Sequence, residues 1–372
     1  MYFKVSKSVF YNALSTVSRA ISSFSPLPAF SGIKIEAKLD HLVLTGSDSD
    51  ISIQTTIHSD NEETLQINDT GSIVIEAKYI LEIVRKIDSD ELELEILDGT
   101  QTKISGKTAE FKINGMNSMD YPMIDFIRPA NNFTINSDIL KEIISQTSFA
   151  TSTSETRPAL TGVNFFCEGH TMRCVGTDSY RLAKKVVEIE KELTFNITIP
   201  SRNLNEVSKT LEADEEITVA ISDKKAQFIL KNTVIQTRLI DGVFPDISRL
   251  IPLAFDYELE IETAEILGAI DRASFIKSDG VSVIKLSLDE KACILSSRSQ
   301  EVGSSTENLS NAVFKGEHLD ISFNGRYVFE ALKAIRQGKI RFSFCGEMKP
   351  FVIQPIEDDS ILQLVLPVRT YA

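Results

Sequence analysis

The sequence lacks the marks of several protein classes. It has no run of about 18 or more apolar residues, and its first residues, MYFKVSKSVFYNAL, mix charge and polarity where a secretion signal carries an apolar segment, so we expect a cytoplasmic protein. The four cysteines show no C-x-x-C spacing, which indicates ordinary thiols without disulfides. The four scattered histidines disfavour a histidine-based metal site or catalytic triad.

Positive charge is also scarce. There are 39 lysines and arginines against 53 acidic residues, a formal net charge of −14, which argues against a simple polycation that coats nucleic acid. Contact with DNA would require basic residues gathered on one face. With 42% hydrophobic and 25% charged residues the composition is that of a globular protein, and 372 residues predict two to four domains.

The chain contains a threefold internal repeat. Lys78, Arg202 and Arg326 begin similar helical patterns, and both intervals between them, 202 − 78 and 326 − 202, equal 124. The apolar residues that follow, Ile80, Ile83 and Ile87 in the first copy, are separated from one another by three, four and seven positions, which predicts one buried helical face. The three segments are IEAKYILEIVRKI, IPSRNLNEVSKTL and FNGRYVFEALKAI.

A second helix and a turn also recur in each copy. The helix around Phe10 returns around Leu140 and more weakly around Ile266, where Ser137 and Thr263 are predicted N-caps. Gly46 and Asp48 recur as Gly176 and Asp178, both 130 residues later. Since this offset exceeds 124 by six, the first copy should carry six extra residues, most simply in the polar loop HSDNEETLQINDTG.

Each copy therefore predicts an α+β unit in which two helices cover one face of antiparallel sheet. Three units of 124 residues make 372, the chain length. Prolines near residues 122–129 and 245–252 place the boundaries, giving domains 1–125, 126–252 and 253–372. Such repeats either stack openly or close into a ring.

Five motifs, in this order along the threefold repeat, give the chain a specific resemblance to the bacterial DNA polymerase III beta subunit family, the replicative sliding clamps. They are LTGSDSD, TRPALTGVNF, VGTDSYRLA, DGVFPDISRLIP and LVLPVRTY. The resemblance implies the DNA clamp fold: three similar domains, and a head-to-tail homodimer that closes a ring with helices inside, sheets outside and duplex DNA in the hole. It further implies a non-catalytic processivity factor in DNA replication, without metal or cofactor.

A ring explains how an acidic protein can act on DNA. Basic residues on exposed helix sides would line the channel while the acidic excess lies outside, although any one of them is equally read as a solvated helix face. Arg202 and Arg326 each have a glutamate four residues on and are candidates for intrahelical pairs. The arginine that the family often has near Phe24 to Pro26 is missing. The channel candidates are Arg19, Arg85, Lys86, Lys141, Arg202, Lys209, Arg272, Lys333 and Arg336.

The family also implies a hydrophobic cleft between the second and third domains that holds short peptides. The partners implied are the polymerase III alpha or PolC-type subunit, the clamp loader, and other polymerases and repair proteins. From pattern alone, the aliphatic members would read as ordinary core. The cleft residues implied are Leu160, Thr177, Ser179, Tyr180, Arg181, Leu182, Pro245, Arg249 and Leu250 in the second domain, and Asn324, Tyr327, Leu364, Val365, Leu366, Pro367, Val368 and Arg369 in the third.

Ring closure by analogy brings Phe111 and Ile113, on an edge strand, against Phe275 and Ile276 of another chain. Apolar edge strands are aggregation hazards unless they are paired, so pairing between subunits would account for them. Interior packing within one domain is the alternative.

Two other functions compete with a clamp. Asp48, Asp50 and Asp178 could chelate Mg²⁺ in an enzyme, but Asp-x-Asp in a Gly/Ser-rich turn is common turn chemistry. The chain also lacks G-x-x-x-x-G-K-[ST] and H-E-x-x-H. The second rival is a tandem-repeat scaffold that binds proteins and never encircles DNA.

Overall fold

The structure is a computed structural model that describes residues 1–22, 25, 27–59, 64–277, 280–336 and 338–369. Phe24 and Pro26, near which the family often has an arginine, lie outside the described residues. Each repeat contributes two of the helices, as the periodicity predicts. The α-helices of the described residues are α1 (Lys7–Ser18), α2 (Ala77–Lys86), α3 (Ser137–Thr147), α4 (Ser201–Thr210), α5 (Thr263–Ala273) and α6 (Gly325–Ile335).

Between the helices the chain runs as β-strands, and every strand pair in the described residues is antiparallel. The strands of the first repeat are β1 (Tyr2–Ser6), β2 (Gly32–Ala37), β3 (His41–Ser47), β4 (Ile51–His58), β5 (Leu65–Asp69), β6 (Gly71–Glu76), β7 (Glu91–Asp98), β8 (Gln101–Ser105) and β9 (Glu110–Asn114). Those of the second are β10 (Asn131–Asn136), β11 (Gly162–Thr177), β12 (Arg181–Pro200), β13 (Glu216–Ile221), β14 (Lys225–Ile229) and β15 (Thr233–Arg238). Those of the third are β16 (Tyr257–Glu262), β17 (Val283–Leu288), β18 (Cys293–Ser299), β19 (Gly303–Asn308), β20 (Val313–Lys315), β21 (Leu319–Asn324), β22 (Lys339–Phe344), β23 (Phe351–Pro355) and β24 (Ile361–Val365).

The chain forms two compact units. The N-terminal unit comprises residues 1–138 and 206–239, and the C-terminal unit comprises residues 139–205 and 240–372. The N-terminal unit holds a five-stranded sheet in the order β5-β1-β7-β8-β9 and an eight-stranded sheet in the order β10-β13-β14-β15-β4-β3-β2-β6. The C-terminal unit holds a seven-stranded sheet, β11-β12-β24-β23-β22-β16-β20, and a four-stranded sheet, β19-β18-β17-β21.

Two of the sheets combine strands from neighbouring repeats, which the assignment of one α+β unit to each copy does not anticipate. In the N-terminal unit β15 of the second repeat pairs with β4 of the first, with Ile235 opposite Ile53. In the C-terminal unit β24 of the third repeat pairs with β12 of the second, with Leu364 opposite Leu182. Pairing across the repeats removes strand edges that would otherwise be exposed.

The recurring glycines mark places where a strand passes under a helix end. A Cβ atom at Gly46 would lie 2.2 Å from the carbonyl oxygen of Val17, and one at Gly176 would lie 2.3 Å from that of Thr147. No side chain fits at these distances, so the repeated glycine follows from the close approach of β3 to α1 and of β11 to α3.

The prediction that Ser137 and Thr263 are N-caps is wrong. Both are the first residues of their helices. The Thr263 hydroxyl donates to the carbonyl oxygen of Gly338 at 2.7 Å, and the Ser137 hydroxyl accepts from the backbone N–H of Glu215 at 3.0 Å. These hydroxyls fasten each helix start to the segment before β22 or β13.

The polar loop of the first repeat is partly a strand. Residues 65–69 form β5, which pairs with β1, whereas residues 60–63 lie outside the described residues. In the part of the chain that the structure describes, no helix has both the length and the apolar character that crossing a membrane requires.

Candidate functional site

The turn between β11 and β12 is held by Asp178. Its Oδ1 accepts hydrogen bonds from the backbone N–H groups of Tyr180 at 2.9 Å and Arg181 at 3.0 Å. Ser179 has a φ of 77°, in the left-handed region. The carboxylate thus closes an Asx-type turn, which is the chemistry that makes Asp common in such positions.

Asp48 closes the equivalent turn between β3 and β4 of the N-terminal unit. Its Oδ1 accepts from the N–H groups of Asp50 at 3.0 Å and Ile51 at 2.9 Å, and Ser49 has a φ of 83°. Both aspartates serve the same repeated turn. Within the described residues, no cluster of three or more His, Cys, Asp or Glu side chains is suited to a metal ion.

Arg181 is a buried arginine that joins the turn to α6. Its side chain is 7% exposed, and its Nε donates to Asp178 Oδ2 at 3.0 Å. Its other nitrogens donate to Glu330 Oε2 and, at 2.6 Å, to the carbonyl oxygen of Phe149. The guanidinium carbon lies 4.5 Å from the ring centroid of Tyr327. Pairing and hydrogen bonding on all sides make this charge tolerable in the interior.

The pKa of Glu330, one of the two acidic partners of Arg181, is lowered by its surroundings. Burial alone would raise the pKa of Glu330, but hydrogen bonds from Arg181 and Arg326 outweigh burial and lower it. Arg326 Nε lies 2.9 Å from Glu330 Oε1, so the intrahelical pair expected for Arg326 forms. Glu330 is therefore ionised at neutral pH.

A second cluster lies on the opposite face of the same sheet. Because side chains alternate along a strand, Leu182 points away from the face of Arg181. Leu182 lies opposite Leu364, which lies opposite Val352. These residues belong to a buried cluster that we call the apolar floor: Val175, Leu182, Ile247, Val352, Leu362 and Leu364.

The segment 243–255 packs against the apolar floor and leaves apolar side chains exposed at its rim. Phe244, Ile251 and Phe255 pack against the floor and are partly buried. Leu250 is 48% exposed, and Tyr180, in the turn, is 62% exposed. A buried apolar surface bordered by exposed apolar groups is typical of a binding site for an apolar ligand.

The C-terminal segment lies beside this surface. The backbone N–H of Leu366 donates to the carbonyl oxygen of Tyr180 at 2.9 Å, and that of Val368 donates to Ser322 at 2.7 Å. Leu366, Pro367 and Val368 are half-buried. Neighbours from the second and third repeats thus cover a segment that is apolar almost to the end of the chain. Residues 370–372 lie outside the described ranges.

The predicted cleft residues do not all lie in one place. Leu182 and Leu364 lie in the apolar floor, and Pro245, Arg249 and Leu250 lie in the segment that packs against it. The turn holds Thr177, Ser179, Tyr180 and Arg181. Leu160 is buried, and the Asn324 side chain accepts from the N–H of Arg326 at 3.0 Å, as the cap of α6.

Val365 differs from the expectation for a cleft residue. It lies opposite Arg181 and belongs to the core of the third repeat. Sequence reasoning also missed Val175, Ile247, Val352 and Leu362 of the floor. The alternation of Leu362 with Leu364 is the signal that could have found one of them, since both point to one face of β24.

Most of the predicted channel residues have acidic neighbours. Arg85 and Lys86 lie 2.8 and 3.0 Å from Glu82. Lys209 and Arg19 lie 2.7 and 3.7 Å from Glu206. The basic members of these pairs lie at the surface, where ion pairs are worth little to stability, so a competing phosphate could displace the acidic partner at small cost.

The remaining candidates lie on α3 to α6 or directly after α6. Arg272 pairs with Glu307, Lys333 Nζ lies 4.7 Å from the ring centroid of Phe329, and Arg336 follows α6 with a φ of 73°. Lys141 and Arg202 lie on α3 and α4. The six helices together carry ten basic and seven acidic side chains. Since the net charge is −14, the acidic excess lies outside the helices.

The predicted interface residues lie at different depths. β9 is an edge strand, and its Phe111 and Ile113 are half-buried between exposed polar neighbours. Phe275 is 69% exposed, whereas Ile276 is 3% exposed and buried within its own chain. Of Phe275 and Ile276, only Phe275 is accessible in the free chain.

Comparison with known proteins covers the whole chain. Three family models match: the DNA polymerase III beta subunit N-terminal domain at residues 1–125, the central domain at 134–246 and the C-terminal domain at 248–369. The chain is 39% identical to the beta sliding clamp of Staphylococcus epidermidis and 40% identical to that of Bacillus subtilis, with full coverage of each. It is similar to the crystal structure of the Bacillus subtilis DNA polymerase sliding clamp, with a TM-score of 0.96, 39% identity and full coverage of both chains.

Proposed function

Because the chain belongs to the DNA polymerase III beta subunit family, whose members are DNA sliding clamps, we propose that two copies close a head-to-tail ring around duplex DNA and tether polymerases to it. The fold is the three-domain clamp fold with antiparallel sheets. We place the domains at 1–125, 126–252 and 253–372. The role is non-catalytic and cytoplasmic, as a processivity factor in DNA replication.

The charge distribution supports sequence-independent contact with the duplex. The helices carry a basic excess in an acidic chain. Each phosphate contact adds to a salt-sensitive grip that would hinder sliding. Acidic neighbours such as Glu82 and Glu206 temper that grip, and a closed ring keeps the protein on DNA without tight binding.

Ring closure pairs the edge strand β9 of one copy with the region around Phe275 of the other. Apolar side chains on a strand edge and an exposed phenylalanine support this contact. Phe275→Asp should give monomers in sedimentation at micromolar concentration, while Leu39→Asp, at another exposed apolar residue, should leave a dimer of twice 41.4 kDa. A dimer that persists in Phe275→Asp contradicts this interface.

The apolar floor is the observation that carries the tethering role. Burial contributes about 25 cal/mol per Å² of apolar surface, so a short peptide with two or three large apolar side chains could bind on the floor and its rim. Polar groups of the turn would fix its direction. The partners are the polymerase III alpha or PolC-type subunit, the clamp loader, and other polymerases and repair proteins.

Encirclement is tested by DNA topology. The protein is loaded by a clamp loader and ATP onto nicked circular DNA, and half of the sample is then cut once with a restriction enzyme. We expect retention on the circle and loss from the linear form at moderate salt. Equal retention on both forms would instead support the scaffold alternative, in which DNA is never enclosed.

The non-catalytic role has its own test. Pure protein incubated with Mg²⁺ and labelled duplex should leave the DNA intact. Cleavage that disappears in Asp48→Ala would establish the metal-dependent enzyme instead.

A further inference from the structure

A charged pocket adjoins the apolar floor in the C-terminal unit. It is a cavity of about 250 Å³ between β11, β12 and the loop of residues 243–247. Val175 and Ile247 line it and also belong to the floor. The polar side chains in its wall are Asn164, Asn196, Arg173 and Asp246. The pocket therefore continues the apolar site but differs from it in chemistry.

Arg173 has an unused hydrogen-bonding group in this pocket. Its guanidinium carbon lies 5.0 Å from the ring centroid of Phe166, so the aromatic face supports the cation. Its Nε is buried and has no hydrogen-bond acceptor among the described residues. The acidic residue in the wall, Asp246, accepts from the N–H and hydroxyl of Ser248 at 2.9 and 3.0 Å. An unsatisfied buried donor is costly and is normally matched by an acceptor.

A second cation lies close to Arg173. Lys184 sits between Val175 and Leu362 in the sheet, on the face of the apolar floor. Burial, together with the like charge of Arg173, lowers the pKa of Lys184. In the part of the chain that the structure describes, neither cation has a carboxylate within 4.0 Å. Asp246 is near enough that, after the hydrogen bonds from Ser248 and the charge of Arg249, the charge of Arg173 also lowers the pKa of its carboxyl, but it forms no ion pair with either cation. Two neighbouring, partly buried cations therefore favour an additional anion.

The position in the sheet indicates which anion this is. Arg173, Val175 and Leu182 share the face of the apolar floor, whereas Arg181 on the other face contacts α6. The helices are the proposed DNA surface, so a phosphate of the duplex is the less favoured occupant. A carboxylate carried by a peptide on the floor fits the planar donor set of an arginine.

We propose that the Arg173 pocket binds the carboxylate of an acidic residue that flanks the apolar core of the docked partner peptide. Lys184 adds charge from the floor side. This proposal rests on the peptide-docking function, because without a bound peptide no acidic group is brought to the pocket. The docking site then has two components, in which apolar contact supplies affinity and recognition of an acidic flank supplies selectivity.

The test uses matched synthetic decapeptides with one leucine-phenylalanine core. Each is acetylated and amidated and carries either Glu or its neutral isostere Gln, on the N-terminal or the C-terminal flank; a fifth peptide has a free terminal carboxylate and Gln flanks. Binding to the full-length protein is measured by calorimetry. A charge-assisted hydrogen bond predicts that, on one flank, Glu binds about tenfold more tightly than Gln.

Variants assign the effect to the pocket. In Arg173→Gln the preference for Glu should vanish while the affinity of the Gln peptide stays unchanged, and Arg173→Lys should keep some of the preference. Lys184→Met should reduce it less. Lys291→Gln, at an exposed cation outside the pocket, should retain all of it, and thermal unfolding shows which variants remain folded.

The outcomes separate this proposal from peptide docking itself. If Glu and Gln peptides bind the wild type equally on both flanks, the carboxylate pocket is refuted and docking stands, whether or not any variant folds. A preference confined to the free-terminus peptide likewise refutes the acidic side chain as the ligand. If none of the peptides binds, the docking function itself fails.

Discussion

The two junctions between successive repeats have the same fold and opposite chemistry. In the C-terminal unit one row across the sheet reads Thr177, Leu182, Leu364, Val352. The corresponding row of the N-terminal unit reads Ser47, Ser52, Gln236, Gln227. One row is mostly apolar and the other wholly polar, so the repeated architecture supplies two platforms, of which one suits an apolar peptide.

The polar row forms hydrogen bonds within itself and to the segment that covers it. Gln227 Nε2 donates to Gln236 Oε1 at 2.8 Å and to the carbonyl oxygens of Phe126 and Ile127 at 3.1 and 3.3 Å. The glutamine thereby fastens the 121–130 segment to the sheet. In the other junction the covering segment is held by apolar packing of Phe244 and similar residues. Nondirectional packing can be shared with a ligand, whereas a directional network is disrupted by one.

The turns beside the two rows differ in the same way. Asp48 and Asp178 close equivalent turns, but Ile51 of the first turn is replaced by Arg181 in the second. Isoleucine needs only a buried apolar place, whereas the arginine needs Asp178 and Glu330. The repeated turn is therefore joined to α6 by charged side chains, through Arg181, at one junction only.

The largest expected effect comes from Arg181→Met. Removing the cation leaves Asp178 without its ion-pair partner and leaves Glu330 with Arg326 alone, both in a partly buried site, and breaking such a pair costs about 3 to 5 kcal/mol. The matched change in the first turn, Ile51→Val, should cost about 1 kcal/mol. Urea unfolding of both variants measures the contrast. Equal losses would show that the two turns play the same role.

Making the apolar row polar should remove peptide binding; because Leu182 and Leu364 are buried, it should also lower stability, so urea unfolding must first show that the variant is folded. Leu182→Ser with Leu364→Gln copies Ser52 and Gln236, and loss of two apolar contacts of about 1.5 kcal/mol each predicts about a 100-fold weaker affinity. Binding of the leucine-phenylalanine peptide measures it. The reverse change, Ser52→Leu with Gln236→Leu, is the control and should leave affinity unaltered. A peptide that still binds the first variant tightly must use another surface.

Asparagine substitutions separate the shared turn from the added charge. Asp48→Asn keeps an oxygen that accepts the two backbone hydrogen bonds, so we expect a change within about 0.5 kcal/mol. Asp178→Asn keeps the same turn but loses the charge that faces Arg181, and a further loss of about 1 kcal/mol should follow. Thermal unfolding of both proteins reports the difference. Indistinguishable values would mean that Glu330 alone balances the arginine.

The repeated features of the molecule are readable from the sequence. Constant offsets located Gly46 with Gly176 and Asp48 with Asp178, because a close helix contact and an Asx turn each require one residue type. The helices could be predicted because apolar residues recur at helical spacing at the same offsets. The peptide-site residues came from the family resemblance, since Leu182 and Leu364 have the pattern of any core strand.

What the sequence could not reveal depends on pairing between distant segments. Val352 enters the floor only because β24 lies between β12 and β23, and nothing local in β23 indicates that order. Burial of Ile276 beside exposed Phe275 likewise depends on how the chain leaves α5. The position of Arg173 beside Lys184 follows from the register of β11 and β12, which no short motif encodes.

The smallest expected effect is the pH dependence that Glu330 contributes at the junction with Arg181. The pKa of Glu330 is lower in the folded protein than its ordinary value, so ionised Glu330 stabilises the fold above the unfolded pKa of about 4.3, and the contribution fades as pH falls through the folded value. Glu330→Gln should therefore be less stable than the wild type at about pH 6, and the gap should narrow as the pH falls below about 4. Urea titrations at both pH values measure it. A gap that stays constant would show that the charge of Glu330 does not cause the difference, since the glutamine is neutral at both pH values and only the carboxylate titrates between them.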